Sequence, residues 1–355
     1  MSTILEMVRP EIRDLRPYRA AQYAEGLLRL NANETPWRPP GDDTARGLNR
    51  YPETRPVTLT ECLARYYDLA ADQLLVTRGS SEAMDLLVRC FCRAGGNDIL
   101  ICPPTFGMYE VYAQIQGAGI VEVPLLRDDG FALDVGGIKA AWTERCKLLF
   151  LCSPNNPTGN RIETARIDEL CRFLDGRGLV IVDAAYIEFA DQDSSTELLG
   201  RHENVVILRT LSKAFGLAGI RCGAALAAPQ VVDLLGRILP PYAYPTPSQD
   251  AALACLAPDF RGELEKRAAH LRSERDRLAQ SLQQFPSVTR VWPSEANFLL
   301  VETRDPAGFV TAARQGGVLI RDFSAYPFTE GCLRITVGDS AQNDQLLGAL
   351  SAIEG

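Results

Sequence analysis

Short apolar runs, most of them with β-branched residues, recur along this chain, and each ends in a turn carrying polar or glycine residues. The clearest are Leu74-Leu75-Val76-Thr77, Asp98 to Cys102, Lys147 to Cys152, Leu179-Val180-Ile181-Val182 and Val205-Val206-Ile207-Leu208. Runs of this length and composition read as buried strands. Between them lie segments with helical apolar spacing, such as 58–69 and the stretch from Ser80 through about Cys92. Alternation of this kind restricts the chain to an α/β fold. Open α/β sheets bind ligands outside the carboxyl ends of their strands, so the residues just past each run are the ones that can carry chemistry.

The run Val205–Leu208 leads into Thr210-Leu211-Ser212-Lys213-Ala214-Phe215-Gly216-Leu217-Ala218-Gly219-Ile220-Arg221-Cys222-Gly223. Only four lysines occur in the whole chain, at 139, 147, 213 and 266, so surface charge has mostly gone to arginine. An arbitrary lysine is a solvated surface group, but Lys213 sits among apolar and glycine residues at a strand exit. Its amine can condense with a carbonyl cofactor while the Ser212 hydroxyl and Arg221 hold that cofactor's phosphate. Asp183 closes the run 179–182, and an aspartate there is costly to bury unless a cation faces it. Tyr186 follows three residues on. After Leu74–Thr77 comes Arg78-Gly79-Ser80-Ser81-Glu82, a turn into a helix that Ser80 or Ser81 can cap. The backbone N–H groups of its first turn form an anion site. Ser153-Pro154-Asn155-Asn156-Pro157-Thr158-Gly159 is a turn sequence that also delivers an amide to the sheet edge. Tyr109, in Pro103-Pro104-Thr105-Phe106-Gly107-Met108-Tyr109, lies near the same edge, as a core aromatic or as a ligand contact.

Composition narrows the partners. A net charge of −8 argues against nucleic acid or an anionic membrane, so any bound phosphate must be gripped locally. Ten cysteines are scattered with no CxxC pair, which reads as free, buried thiols in a reducing cytosol. The two histidines, His202 and His270, are far apart, so no imidazole-based metal centre is expected. The segment from Met1 to Leu15 lacks the apolar core of a signal peptide, and no apolar run approaches the ~20 residues that span a bilayer. A cytoplasmic protein is expected. No G-x-G-x-x-G follows a strand, which disfavours a nicotinamide enzyme.

The Thr210–Gly223 run resembles the cofactor-lysine motif of pyridoxal-phosphate (PLP) aminotransferases of fold type I, and the resemblance extends from about Tyr18 to about Gly338. It implies a large domain with a mostly parallel seven-stranded sheet and a smaller α+β domain. The expected division is an arm at 1–28, a large PLP-binding domain at 45–245, and a small domain from 29–44 and 246–355. Residue by residue, it implies that Lys213 carries PLP and that Asp183 faces the pyridine nitrogen. Asn156 and Tyr186 would reach the 3′-oxygen, and Tyr109, in "PTFGMY", would stack on the ring. Ser80, Ser81, Ser212 and Arg221 would hold the phosphate, together with Tyr51 of a second subunit, which makes a homodimer the expected assembly.

Leu30-Asn31-Ala32-Asn33-Glu34-Thr35-Pro36 resembles the family's "LNxNENP" signature, with Thr35 in place of the second Asn. Asn33, Tyr18, Asn156, Arg321 in "VLIRDFS" and Arg334 in "GCLRITVG" would bind substrate, and guanidinium suits bidentate capture of carboxylate or phosphate. The matches point to the branch that interconverts L-histidinol phosphate and imidazole-acetol phosphate, with glutamate and 2-oxoglutarate as the other pair, in histidine biosynthesis. Aromatic amino-acid transamination and threonine-phosphate decarboxylation, in close relatives, are the alternatives. A PLP-sensing transcription regulator would need an extra N-terminal DNA-binding module, for which an acidic chain matching from Tyr18 leaves no room.

Overall fold

The computed structural model describes residues 3–18, 20–21 and 27–351. Seven strands form the main sheet: β1 (Leu74–Arg78), β2 (Asp98–Ile101), β3 (Gly119–Glu122), β4 (Cys146–Cys152), β5 (Leu179–Asp183), β6 (Val205–Thr210) and β7 (Cys222–Ala227). Their order across the sheet is β1-β7-β6-β5-β4-β2-β3. β7 runs antiparallel to both neighbours, and the other pairs are parallel.

The central runs are continuously apolar because parallel strands are covered on both faces, and alternate residues sort onto opposite faces. Leu149, Leu151, Val180, Val182, Val205 and Ile207 pack into one core. Leu148, Phe150, Cys152, Leu179, Ile181, Val206 and Leu208 pack into the other. The same parity puts Asp183 on the face shared by Phe150 and Cys152.

A second, antiparallel sheet has the order β10-β11-β9-β8, built from β8 (Val288–Val291), β9 (Phe298–Thr303), β10 (Arg321–Asp322) and β11 (Cys332–Thr336). Leu299, Val301, Leu333 and Ile335 face the helices Pro258–Leu282, Pro306–Gln315 and Ser340–Ser351, contributing to a core with Leu278, Phe309 and Leu346. The alternate positions, Leu300 and Cys332, join the main-sheet core instead. Arg334 sits opposite Leu300 in register, so parity aims it at the main domain.

Of the segment before β11, only Arg321–Asp322 pairs, because Gly317 leaves the preceding helix at φ +79 and the residues after it are spent on the turn. The helix Thr246–Cys255, assigned above to the small domain, packs on the helix Val57–Tyr66, and its Ala252 belongs to the main core. All ten cysteines are free, and all but Cys62 and Cys255 are buried. No described helix is long and apolar enough to cross a membrane.

Candidate active site

The ends of β4, β5 and β6, with the turn after β1, enclose a cavity of about 220 Å³. That is below the range for drug-sized ligands, so it suits a compact group and not a dinucleotide. Ser80, Ser81, Asn156 and Asp183 lie on its wall, as do Tyr186, Ser212, Lys213 and Arg221. Eight expected residues from four separate segments thus meet in one place.

One end of the cavity is made for an anion. The helix Ser80–Phe91 begins at Gly79 with no side-chain cap, so apart from the Glu82 N–H, which bonds the Gly79 carbonyl, its first-turn N–H groups can donate to one. Gly79 has φ +75, and a Cβ there would stand 2.6 Å from the Arg221 guanidinium; only glycine lets that arginine lie along the turn. Arg221 donates to Ser212 Oγ at 3.4 Å, and Thr210 Oγ1 donates to the same oxygen at 3.0 Å. β7 itself approaches closely here, since a Cβ on Gly223 would overlap the Gly79–Ser80 backbone.

The other end is acidic. Asp183 is only 3% exposed. Its Oδ2 accepts from the Tyr109 hydroxyl at 2.8 Å and its Oδ1 from the Ala185 N–H at 3.3 Å. Burial pushes its pKa up to about 6, against the downward pull of those donors and of Lys213. A carboxylate held there is a receptor for a ligand cation. Between the two ends, Lys213 Nζ stands 5.3 Å from the centre of the Tyr186 ring. Burial, then the charge of Arg334, pulls its pKa below the ordinary lysine value; Asp183 opposes this and Arg221 adds to it. The shift enlarges the neutral, nucleophilic fraction of the amine. Anion cradle, reactive amine and buried carboxylate together match an aldehyde that carries a phosphate and a basic ring nitrogen.

Arg334 is off the cavity wall but bonded to it, donating to Asn156 Oδ1. Its guanidinium lies between the Phe298 and Phe323 rings, 5.4 and 5.3 Å from their centres, which fixes its plane. Asn156 keeps its Nδ2 donors for a ligand. Arg321, opposite Arg334 in the β10–β11 register, is exposed and off the wall.

Tyr109 does not stack on anything in the cavity. It is fully buried, with its ring 4.9 Å from that of Phe150 and roughly parallel to it. The helix Met108–Gln116 places it on one stripe with Ala113, the face packed on the sheet. Phe106, ahead of that helix, is on the cavity wall together with Tyr186, and sequence reasoning missed it. The i, i+4 pair Tyr109/Ala113 was the available signal. Cys152 and Thr210 on the wall were missed as well.

Tyr18 and Tyr51 are 72% and 52% exposed. Both line a different, larger cavity of about 1500 Å³, which lacks the amine–carboxylate pairing. Tyr51 stacks on Tyr242 with centroids 4.7 Å apart. Asn33 is exposed, at φ +56, and is not on the wall. Within one chain, these three are not brought to the cavity.

Comparison with known proteins agrees with this geometry. The family "Aminotransferase class I and II" matches residues 30–350. A histidinol-phosphate aminotransferase from Xanthomonas axonopodis pv. citri is 43% identical over 98% of this chain and 97% of its own length. The structure of histidinol-phosphate aminotransferase from Sinorhizobium meliloti in complex with pyridoxal-5′-phosphate superposes with a TM-score of 0.78 at 25% identity, covering 86% of this chain and 83% of that one. An L-threonine-O-3-phosphate decarboxylase from Porphyromonas gingivalis shares the fold, with a TM-score of 0.75 at 23% identity over 86% of this chain and 91% of that one.

Proposed function

This chain belongs to the class I and II aminotransferases, which depend on PLP, and we propose that it interconverts L-histidinol phosphate and imidazole-acetol phosphate with 2-oxoglutarate and glutamate as the second pair. The observation that carries the reading is the position of Arg334, bonded to Asn156 at the edge of a cavity that holds both Lys213 and Asp183. The 43% identity to a protein of that name along nearly its whole length supports the substrate.

Pyridoxal phosphate, when bound, supplies an aldehyde and an electron-withdrawing ring that stabilises negative charge at a substrate α-carbon. The chain does the rest. The helix N-terminus at Ser80, with Ser81, Ser212 and Arg221, would hold the phosphate. Asp183 would face the ring nitrogen as a carboxylate, Phe106 would pack on the ring, and Tyr186 and Asn156 Nδ2 would donate to the ring oxygen. Lys213 Nζ would tether the aldehyde carbon and, once the substrate amine has taken its place there, would take the proton from the substrate α-carbon and deliver it to that former aldehyde carbon. Arg334 would grip either the glutamate carboxylate or the histidinol phosphate group, so one pocket serves both half-reactions by meeting an oxyanion in one place.

Arg334→Ala is expected to lower kcat/KM about 100-fold or more for both substrates, because a fixed guanidinium facing an oxyanion is lost. The visible spectrum should stay. Arg321→Ala, at an exposed position, should cost much less. Unequal losses in the two half-reactions would assign Arg334 to one substrate only.

We infer a homodimer in which Tyr51 of one subunit reaches the phosphate site of the other. Tyr51 is half exposed and off the wall of its own active-site cavity, lining the larger cavity together with exposed Leu27 and Leu28. A cytoplasmic setting fits the ten free thiols. The deciding assay compares histidinol phosphate, phenylalanine and threonine phosphate at steady state. A kcat/KM for histidinol phosphate at least roughly tenfold above the others supports the reading, since a tenfold ratio is ~1.4 kcal/mol of transition-state preference. Preferred phenylalanine turnover, or carbon dioxide release from threonine phosphate, would replace it.

A further inference from the structure

Tyr109 has no exposure, yet its hydroxyl is directed at Asp183 Oδ2 from 2.8 Å. The ring cannot swing away: Phe150 stacks on it and Phe106 meets it edge-on at 5.7 Å between centroids. The titratable groups facing Asp183 are Tyr109 from the helix Met108–Gln116, Cys152 at the end of β4, Tyr186 beyond β5, and Lys213 beyond β6. Cys152 and Tyr186 are held neutral by burial. Lys213 has its own task at the aldehyde end. A buried carboxylate with one weaker backbone donor would otherwise take up a proton, and the Tyr109 hydrogen bond is the largest influence opposing that. The wall aromatic and the carboxylate are therefore braced by the same ring.

We propose that Tyr109 is a positioning residue of this enzyme: its hydroxyl orients the Asp183 carboxylate and keeps it ionised toward the nitrogen of the bound cofactor. The inference rests on the PLP-dependent reading above and deepens it, by giving the second aromatic of the Phe106–Tyr109 pair a role distinct from stacking.

The test is a double-mutant cycle read in PLP affinity, without substrate. Apoprotein of wild type, Tyr109→Phe, Asp183→Asn and the double variant is titrated with PLP between pH 6 and 9. Tyr109→Phe removes one oxygen and keeps the ring packing. It is expected to weaken PLP binding roughly tenfold near neutral pH, the scale of one hydrogen bond to a buried charge, and to move the acid limb of kcat/KM to higher pH. The weakening should shrink as pH rises and the carboxylate ionises without help. In the Asp183→Asn background the same change should alter affinity by less than about twofold. An equal loss in both backgrounds, or one independent of pH, would make Tyr109 a packing residue and overturn the proposal. Failure of wild type to bind PLP or to turn over histidinol phosphate would instead overturn the functional reading, so the two failures are separable.

Discussion

Lys213→Ala should abolish the absorbance band of the lysine-bound cofactor and lower kcat by about 10³-fold or more. General acid–base transfer by a placed side chain contributes ~10²–10⁴-fold, and here the same amine also provides the covalent attachment. The fold should survive. Lys213 lies at a solvent-accessible cavity wall, and no hydrogen bond would be left broken in a core. Removing a cation that Arg334 and Arg221 repel should leave the apoprotein as stable as wild type, or slightly more so. Absorbance and turnover near wild-type levels would exclude Lys213 from both tasks.

Asp183→Asn is expected to cost about 10³-fold in kcat/KM, because a buried carboxylate facing a cation is replaced by a neutral amide of the same shape. Its effect on stability should have the opposite sign. The folded-state pKa of Asp183 is raised to about 6 from 3.8, so its contribution to stability is fully present below about pH 4 and is lost as pH rises through 6. At pH 8 the ionised form costs the apoprotein on the order of 3 kcal/mol, from about two units at 1.36 kcal/mol each. Thermal unfolding of apoprotein at pH 8 should therefore show Asp183→Asn melting above wild type, with the gap closing toward pH 5. A residue that weakens the empty fold and is needed for turnover is what a functional site looks like. A lower melting temperature at pH 8 would mean that Asp183 is structural.

Much of the site was legible because strand ends are legible. β5 is an apolar run that terminates in Asp183, and β6 is one that opens onto Ser212 and Lys213; period and burial fix both. Gly79 marked a helix start, and the geometry adds the reason: a φ of +75 favours glycine, and a Cβ there would displace the Arg221 guanidinium from its place along the turn. Tyr109 was expected at the ring, whereas Phe106, an aromatic three residues earlier, is the one that reaches the cavity wall. Only the helix register, with Tyr109 above Ala113 on the packed stripe, separates core from wall. The apolar residues 318–320 stay out of the ladder because Gly317 turns the chain first. Tyr18, Tyr51 and Asn33 lie in loops off the cavity wall, and no local pattern of period or burial places a loop residue.

Reduction of the purified protein with borohydride, followed by peptide mapping, tests the central claim most directly. A pyridoxyl group on the peptide holding Lys213, and on none of the peptides of Lys139, Lys147 or Lys266, is the expected result. Label on another lysine, or no label from a protein that remains fully active, would contradict it.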